Sequence, residues 1–194
     1  MARTCLAAFA ISVAAVLAAL PGTATAQKWY EKAVKKVEGR FTPAEAKPGQ
    51  TVTFALTVEL NDGYHTYPTA QPDRKAADMI NLIKFPEPGA VIFVGTTQDP
   101  KDFVTKEEPD LGIKELRVNV GTVVYTRKAV VSPKASAGPT TVKLATFGLS
   151  VCDKTNCFPS KNVPVEASLK VLDGPPVEVE KAYADEVAKA LDGK

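Results

Sequence analysis

From Thr51 to Leu60 the chain alternates cleanly. Val52, Phe54, Leu56, Val58 and Leu60 fall on one face, and Thr51, Thr53, Ala55, Thr57 and Glu59 on the other. A period of two predicts a half-buried β-strand, and Asn61-Asp62-Gly63 then supplies a strong turn signal. Shorter apolar runs follow at 80–85 and 91–94, and Leu116, Val118 and Val120 alternate again before Gly121. Further strands are expected at 123–131, 140–152 and 163–172; in the last, Val163, Val165, Ala167, Leu169 and Val171 share a face. The mixed stretch 28–41 admits a first strand or a short lead-in helix. The segment 96–112, acidic and Pro-containing, reads as one long irregular connection of the kind that is often functional or mobile.

Short strands divided by Pro/Gly turns, with no helical period between them, predict an all-β protein, an antiparallel β-sandwich. The 15 prolines fit this because they cluster between the patterned runs. After Gly174-Pro175-Pro176 the period changes. Val179, Tyr183, Val187 and Leu191 recur at i, i+4, which predicts a C-terminal amphipathic helix near 177–191.

The beginning of the chain bears on compartment. Arg3 precedes an apolar run over 5–20, followed by Pro21-Gly22 and the small residues Ala24-Thr25-Ala26. A basic start, an apolar centre and an A-x-A site form a secretory signal peptide, too short for a comfortable membrane span. Cleavage is expected after Ala26, giving an exported chain with Gln27 first, no attached lipid and no membrane insertion. Residues 27–172 would then be the folded domain and 173–194 a helical tail. Cleavage removes Cys5 and reduces the three cysteines to two, an even count suited to an oxidising compartment. The near-neutral balance, 24 basic against 22 acidic residues, gives no reason to expect nucleic acid as a partner.

Those two cysteines lie in Ser150-Val151-Cys152-Asp153-Lys154-Thr155-Asn156-Cys157-Phe158-Pro159. A four-residue connection is a common hairpin loop. It would place Cys152 and Cys157 opposite each other at a separation of roughly 4.5–5.5 Å, close enough for a cross-strand disulfide. No metal site is expected, since His65 is the only histidine and C-x4-C cannot complete a zinc tetrahedron without distant carboxylates. No cofactor is expected either, because no Gly-rich phosphate loop is present. Two readings of the disulfide remain. As a staple it stabilises by only about 2 kcal/mol for so short a loop, and the protein would be a secreted binding or structural module. As a redox pair it would cycle through mixed disulfides, with Lys154 and Lys161 as local cations favouring the thiolate and Asp153 opposing it.

Cys152-x4-Cys157-Phe158-Pro159, together with Leu60-Asn61-Asp62-Gly63-Tyr64-His65-Thr66-Tyr67, resembles the N-terminal periplasmic (alpha) domain of the disulfide reductase DsbD. Val123-Val124-Tyr125-Thr126-Arg127 and Ala135-Ser136-Ala137-Gly138 also look like family segments. The resemblance runs from about Val34 to Leu172. It implies an immunoglobulin-like fold and a component of protein-disulfide reduction, with Cys152 and Cys157 as the redox pair. The expected partners are thioredoxin-like or disulfide-isomerase-like proteins, including those of cytochrome c biogenesis, and a separately encoded membrane electron conduit. Tyr64, His65, Tyr67 and Phe158 would wall the site. The family covers its disulfide with a cap loop, for which Asp102 and Phe103 are the matching choice here. The cysteine spacing is four, where some family members have five.

Overall fold

A computed structural model describes residues 24–193. The apolar leader with Cys5 lies outside them. The described chain opens with helix α1 (Ala24–Ala33) and runs directly into β1 (Val34–Thr42), so both readings of the mixed stretch 28–41 apply in succession. Then come β2 (Glu45–Ala46), β3 (Thr51–Leu60), β4 (His65–Thr66), β5 (Leu82–Lys84) and β6 (Val91–Gln98). Next are β7 (Val104–Glu108), β8 (Ile113–Val120), β9 (Thr122–Val131) and β10 (Gly138–Lys143). The chain closes with β11 (Thr146–Leu149), β12 (Val151–Cys152), β13 (Lys161–Asn162), β14 (Glu166–Val171) and helix α2 (Ala184–Asp192).

One layer is the sheet β1-β3-β9-β6, antiparallel throughout. The facing layer is divided into β10-β14-β2 and β13-β11-β5, and β2 beside β14 is the one parallel pairing among the described residues. Between the layers lies the main core, with Phe54, Leu56, Val58 and Tyr125 from one side and Phe147, Leu149, Ala167 and Leu169 from the other. Burial of β3 follows its alternation residue for residue. The architecture is an immunoglobulin-like antiparallel β-sandwich with a short C-terminal helix.

Four departures from the sequence expectations have physical causes. The run 140–152 is three strands, because the chain leaves β14, pairs with β5 and β13, then steps at Ser150 onto β4. Strand formation in 163–172 begins only at Glu166, since Val163 bonds back to Phe147 O instead of joining the β10 ladder. The segment 96–112 is not irregular: β6 extends to Gln98 and β7 forms a hairpin with β8. Its Val-Thr-Lys-Glu-Glu sequence offers one apolar residue to a pattern search, and that residue, Val104, is exposed. Finally, α2 begins seven residues later than its apolar spacing suggests. The Val177 N–H is occupied by Pro48 O at 2.8 Å, which holds that stretch extended. Val187 of α2 packs with Ile92, Val94 and Val130 on the outer face of the first sheet, and the Glu186 carboxylate accepts from Gly95 N at 2.9 Å.

A fourth sheet, β12-β4-β8-β7, extends from one end of the sandwich. Its own small core comprises Tyr67, Ala76, Ile113, Leu116, Val118 and Cys152. This sheet carries the cysteines.

Candidate functional site at the Cys152–Cys157 hairpin

Cys152 and Cys157 are joined in a disulfide with Cα atoms 4.0 Å apart. The flanking bonds are Asp153 N to Asn156 O at 2.9 Å and Phe158 N to Val151 O at 3.0 Å. They make the cysteines a non-hydrogen-bonded pair, the closer of the two antiparallel spacings, which accounts for an approach tighter than expected. The loop is organised by Asp153, whose Oδ1 accepts from Thr155 N at 2.8 Å and Asn156 N at 2.7 Å. Those donors hold its carboxyl below the usual carboxylate range. Its charge is therefore directed at loop amides.

The two sulfurs have unequal surroundings. Cys152 is 2 % exposed, while Cys157 is exposed. Pairing sets Cys152 beside His65, and His65 beside Val120, in one row across the sheet. The Tyr67 hydroxyl lies 3.0 Å from Cys152 Sγ and 3.5 Å from Cys157 Sγ. Burial, with the nearby Glu108 charge, raises the Tyr67 pKa, so the phenol stays protonated and available as a donor to sulfur. His65 stands edge-on to Tyr67, ring centres 5.9 Å apart. Burial, aided by Lys106 and opposed by Asp153, lowers its pKa to about 4, leaving it neutral at physiological pH.

Tyr67 is held by the neighbouring polar network. Asn81, 1 % exposed, donates from Nδ2 towards Thr66 Oγ1, Tyr67 O and Tyr125 Oη, each at 2.8 Å. Its Oδ1 accepts from Ser150 N at 2.8 Å, and Thr66 Oγ1 donates to Ser150 O at 2.6 Å. Thus the segment carrying Tyr67 and the strand switch leading to Cys152 are tied to one amide. The Tyr125 hydroxyl, donating to Tyr67 O at 2.6 Å, completes the network.

A cavity of about 240 Å³ opens over the disulfide. His65, Tyr67, Cys152 and Cys157 line it with Asp153, Lys154, Met79 and Leu116, and Lys106, Glu108 and Leu111 overhang it from β7 and the turn after it. Of the cations expected near sulfur, Lys154 is there. Lys161 is not: its Nζ sits 4.1 Å above the Tyr30 ring. Tyr64 and Phe158 lie outside the cavity and pack on each other, ring centres 6.3 Å apart. Asp102 and Phe103 are also elsewhere. Asp102 is exposed, and Phe103 lies under the Arg117 guanidinium at 4.4 Å, in a separate cavity with Asn119. Sequence reasoning missed Lys106, Glu108, Leu111 and Asn81. Their local sequence carries no chemical signature, and only the pairing of β7 with β8 brings the first three over the sulfurs. A larger cavity of about 700 Å³ lies between α2 and the 132–140 turn, with Lys134 as its one titratable lining residue, and offers no chemistry of its own.

No known family profile matches the chain, and no curated protein sequence matches it. Solved structures similar to it include the N-terminal periplasmic domain of ScsB from Proteus mirabilis, at 13% identity and TM-score 0.42, covering 77% of this chain and 51% of that one. A chain of the Coh-OlpA–Doc918 cohesin–dockerin complex from Clostridium thermocellum aligns at 15% identity and TM-score 0.39, covering 71% of this chain and 100% of that one. The seventh ScaB type I cohesin from Pseudobacteroides cellulosolvens aligns at 11% identity and TM-score 0.35, covering 73% and 96%. The chain spans about half the length of the ScsB chain.

Proposed function

We propose that this domain is an exported thiol–disulfide interchange module whose Cys152–Cys157 disulfide exchanges electrons with thioredoxin-fold proteins. The observation that carries the reading is the asymmetry of the pair: one sulfur is open at a cavity mouth, the other is buried against a tyrosine hydroxyl. A partner thiolate attacks Cys157 Sγ, the S–S bond breaks, and its electron pair leaves on Cys152 Sγ. Tyr67 donates a hydrogen bond to that developing thiolate, which lowers the cost of a buried negative charge. The partner's second thiolate then attacks its own bridged sulfur and releases Cys157. The partner ends as a disulfide, and the domain ends as a dithiol holding two electrons and two protons. The reverse sequence delivers them to a periplasmic acceptor.

The decisive experiment pairs a redox titration with trapping. The pair should titrate in the range of thioredoxin and the isomerases, above about −300 mV. Cys152→Ser, which leaves Cys157 as the free thiol, should accumulate a mixed disulfide with a thioredoxin-fold partner, and Cys157→Ser much less. A disulfide that no thioredoxin-like donor reduces, with neither variant trapping a partner, would make it a staple and the protein a binding module. Export is part of the same reading. Secreted material should begin at Gln27 by intact mass; a product retaining Cys5 would refute that.

A further inference from the structure

The residue after Cys157 is held by a part of the chain outside the sequence resemblance. Trp29 of α1, 7 % exposed, stacks on Phe158 with ring centres 5.2 Å apart and planes within 4°. Tyr64 packs against the same Phe158 ring. Tyr30, beside Trp29, receives Lys161 Nζ on its ring at 4.1 Å, so two successive α1 side chains grip the arm leaving the hairpin. At its other end the helix is fixed to the turn that leads into Tyr64-His65-Thr66-Tyr67. Asn61 Nδ2 donates to Lys32 O at 2.7 Å and Asn61 N to Ala33 O at 2.9 Å, closing two of the free carbonyls of the last turn. One helix therefore bridges the two loops that build the sulfur site.

We infer that α1 is a clasp for the dithiol form and that Trp29 is a positioning residue for exchange at Cys157. In the disulfide form the S–S bond itself holds the Cys157 arm. Reduction breaks that bond, with two electrons and two protons supplied by the reductant. The backbone bonds left beside Cys157 are then Asp153 N to Asn156 O and Phe158 N to Val151 O; Pro159 has no N–H to add, and the next pairing is that of β13 with β11. Between those backbone bonds and β13, the aromatic slot of Trp29 and Tyr64 holds the Phe158 side chain. It keeps Cys157 Sγ within reach of Cys152 Sγ, which raises the effective concentration of one thiol at the other. All of the α1 residues making these contacts follow Ala26, so cleavage there removes none of them.

The inference depends on the interchange reading for its biological use only; the equilibrium of the pair with dithiothreitol tests it without any partner. Trp29→Ala should lower the equilibrium constant for disulfide formation about fivefold, or roughly 20 mV, the share expected of one aromatic pair. Trp29→Phe, which keeps the stack, should stay within about twofold of wild type. A role in global stability alone weakens both redox forms equally and leaves the constant unmoved, and that result would overturn the inference. Should Trp29→Ala fail to fold, wild type decides. In the reduced protein the Phe158 amide should keep its protection from hydrogen exchange within about tenfold of the oxidised form. Exchange at the free-chain rate would show that no clasp exists. If thioredoxin-like donors fail to reduce the domain while these two measurements hold, the function is wrong and the clasp stands.

Discussion

The main sandwich and the disulfide-bearing sheet are built on opposite plans. In the sandwich, β3 and β9 pair over nine consecutive positions, and stability comes from one apolar face closed against another. In the small sheet, β4 and β12 are two residues each. Four or fewer ladder positions cannot hold such strands by themselves. Asn81 holds them from the side. The first plan repeats one rule along the chain; the second depends on a few groups meeting once. Damage should accordingly be spread evenly in the sandwich and concentrated in the sheet.

The largest effect expected is in the sandwich. Phe54→Ala, at a residue 2 % exposed, should cost about 3–5 kcal/mol in urea denaturation, and the loss should be equal in the oxidised and reduced proteins. A loss confined to one redox form would break the separation between the regions. Asn81→Ala should cost about 2–3 kcal/mol, because Ser150 N and the Thr66 and Tyr125 hydroxyls lose a buried partner together. Amide exchange should accelerate at Thr66 and Ser150 and remain slow in β3; acceleration everywhere would mean that the network supports the whole fold.

Tyr67→Phe sharpens the comparison, since it removes one hydroxyl from the sulfurs and leaves the ring. Loss of a donor to an anion, about 1.5 kcal/mol, should raise the Cys152 thiol pKa by about one unit, read from the ultraviolet absorbance of the thiolate. Urea stability of the oxidised protein should change far less. An unchanged thiol pKa would remove Tyr67 from the chemistry. A further test is the effect of pH on His65. Its folded pKa of about 4 lies below its ordinary 6.5, so the unfolded chain takes up the proton first as pH falls. The resulting stability is fully present above about pH 6.5 and is lost progressively towards pH 4. Imidazole resonances should titrate with a midpoint near 4 in the folded protein; a midpoint near 6.5 would mean that the ring is solvated.

What could be read from sequence divides along the same line. The alternation of Val52 to Leu60 specified strand, buried face and terminating turn, because each local choice agrees with the fold. Cys152 and Cys157 were also legible, since five intervening steps of chain limit the geometry to a hairpin. Asn81 was not. Its partners lie 14, 15, 44 and 69 residues away, and nothing in Ile80-Asn81-Leu82 distinguishes an amide at a network's centre from one in a turn. Trp29 was unread for a similar reason: its ring partner is Phe158, and no periodicity joins them. Asp102 and Phe103 were chosen by position in a presumed loop. The hairpin of β7 and β8 instead turns Lys106 and Glu108 towards the sulfurs, through a register that the charged residues of β7 do not announce.

Trp29 is the only tryptophan in the chain, and α1 carries its buried ring into the edge of the main core. Intrinsic emission will therefore report the docking of α1, while far-ultraviolet dichroism will report the strands. If the helix detaches before the sheets open, the optical midpoint will precede the dichroic one. Two noncoincident curves from this protein would then signal local undocking, with the sandwich itself still unfolding in a single step.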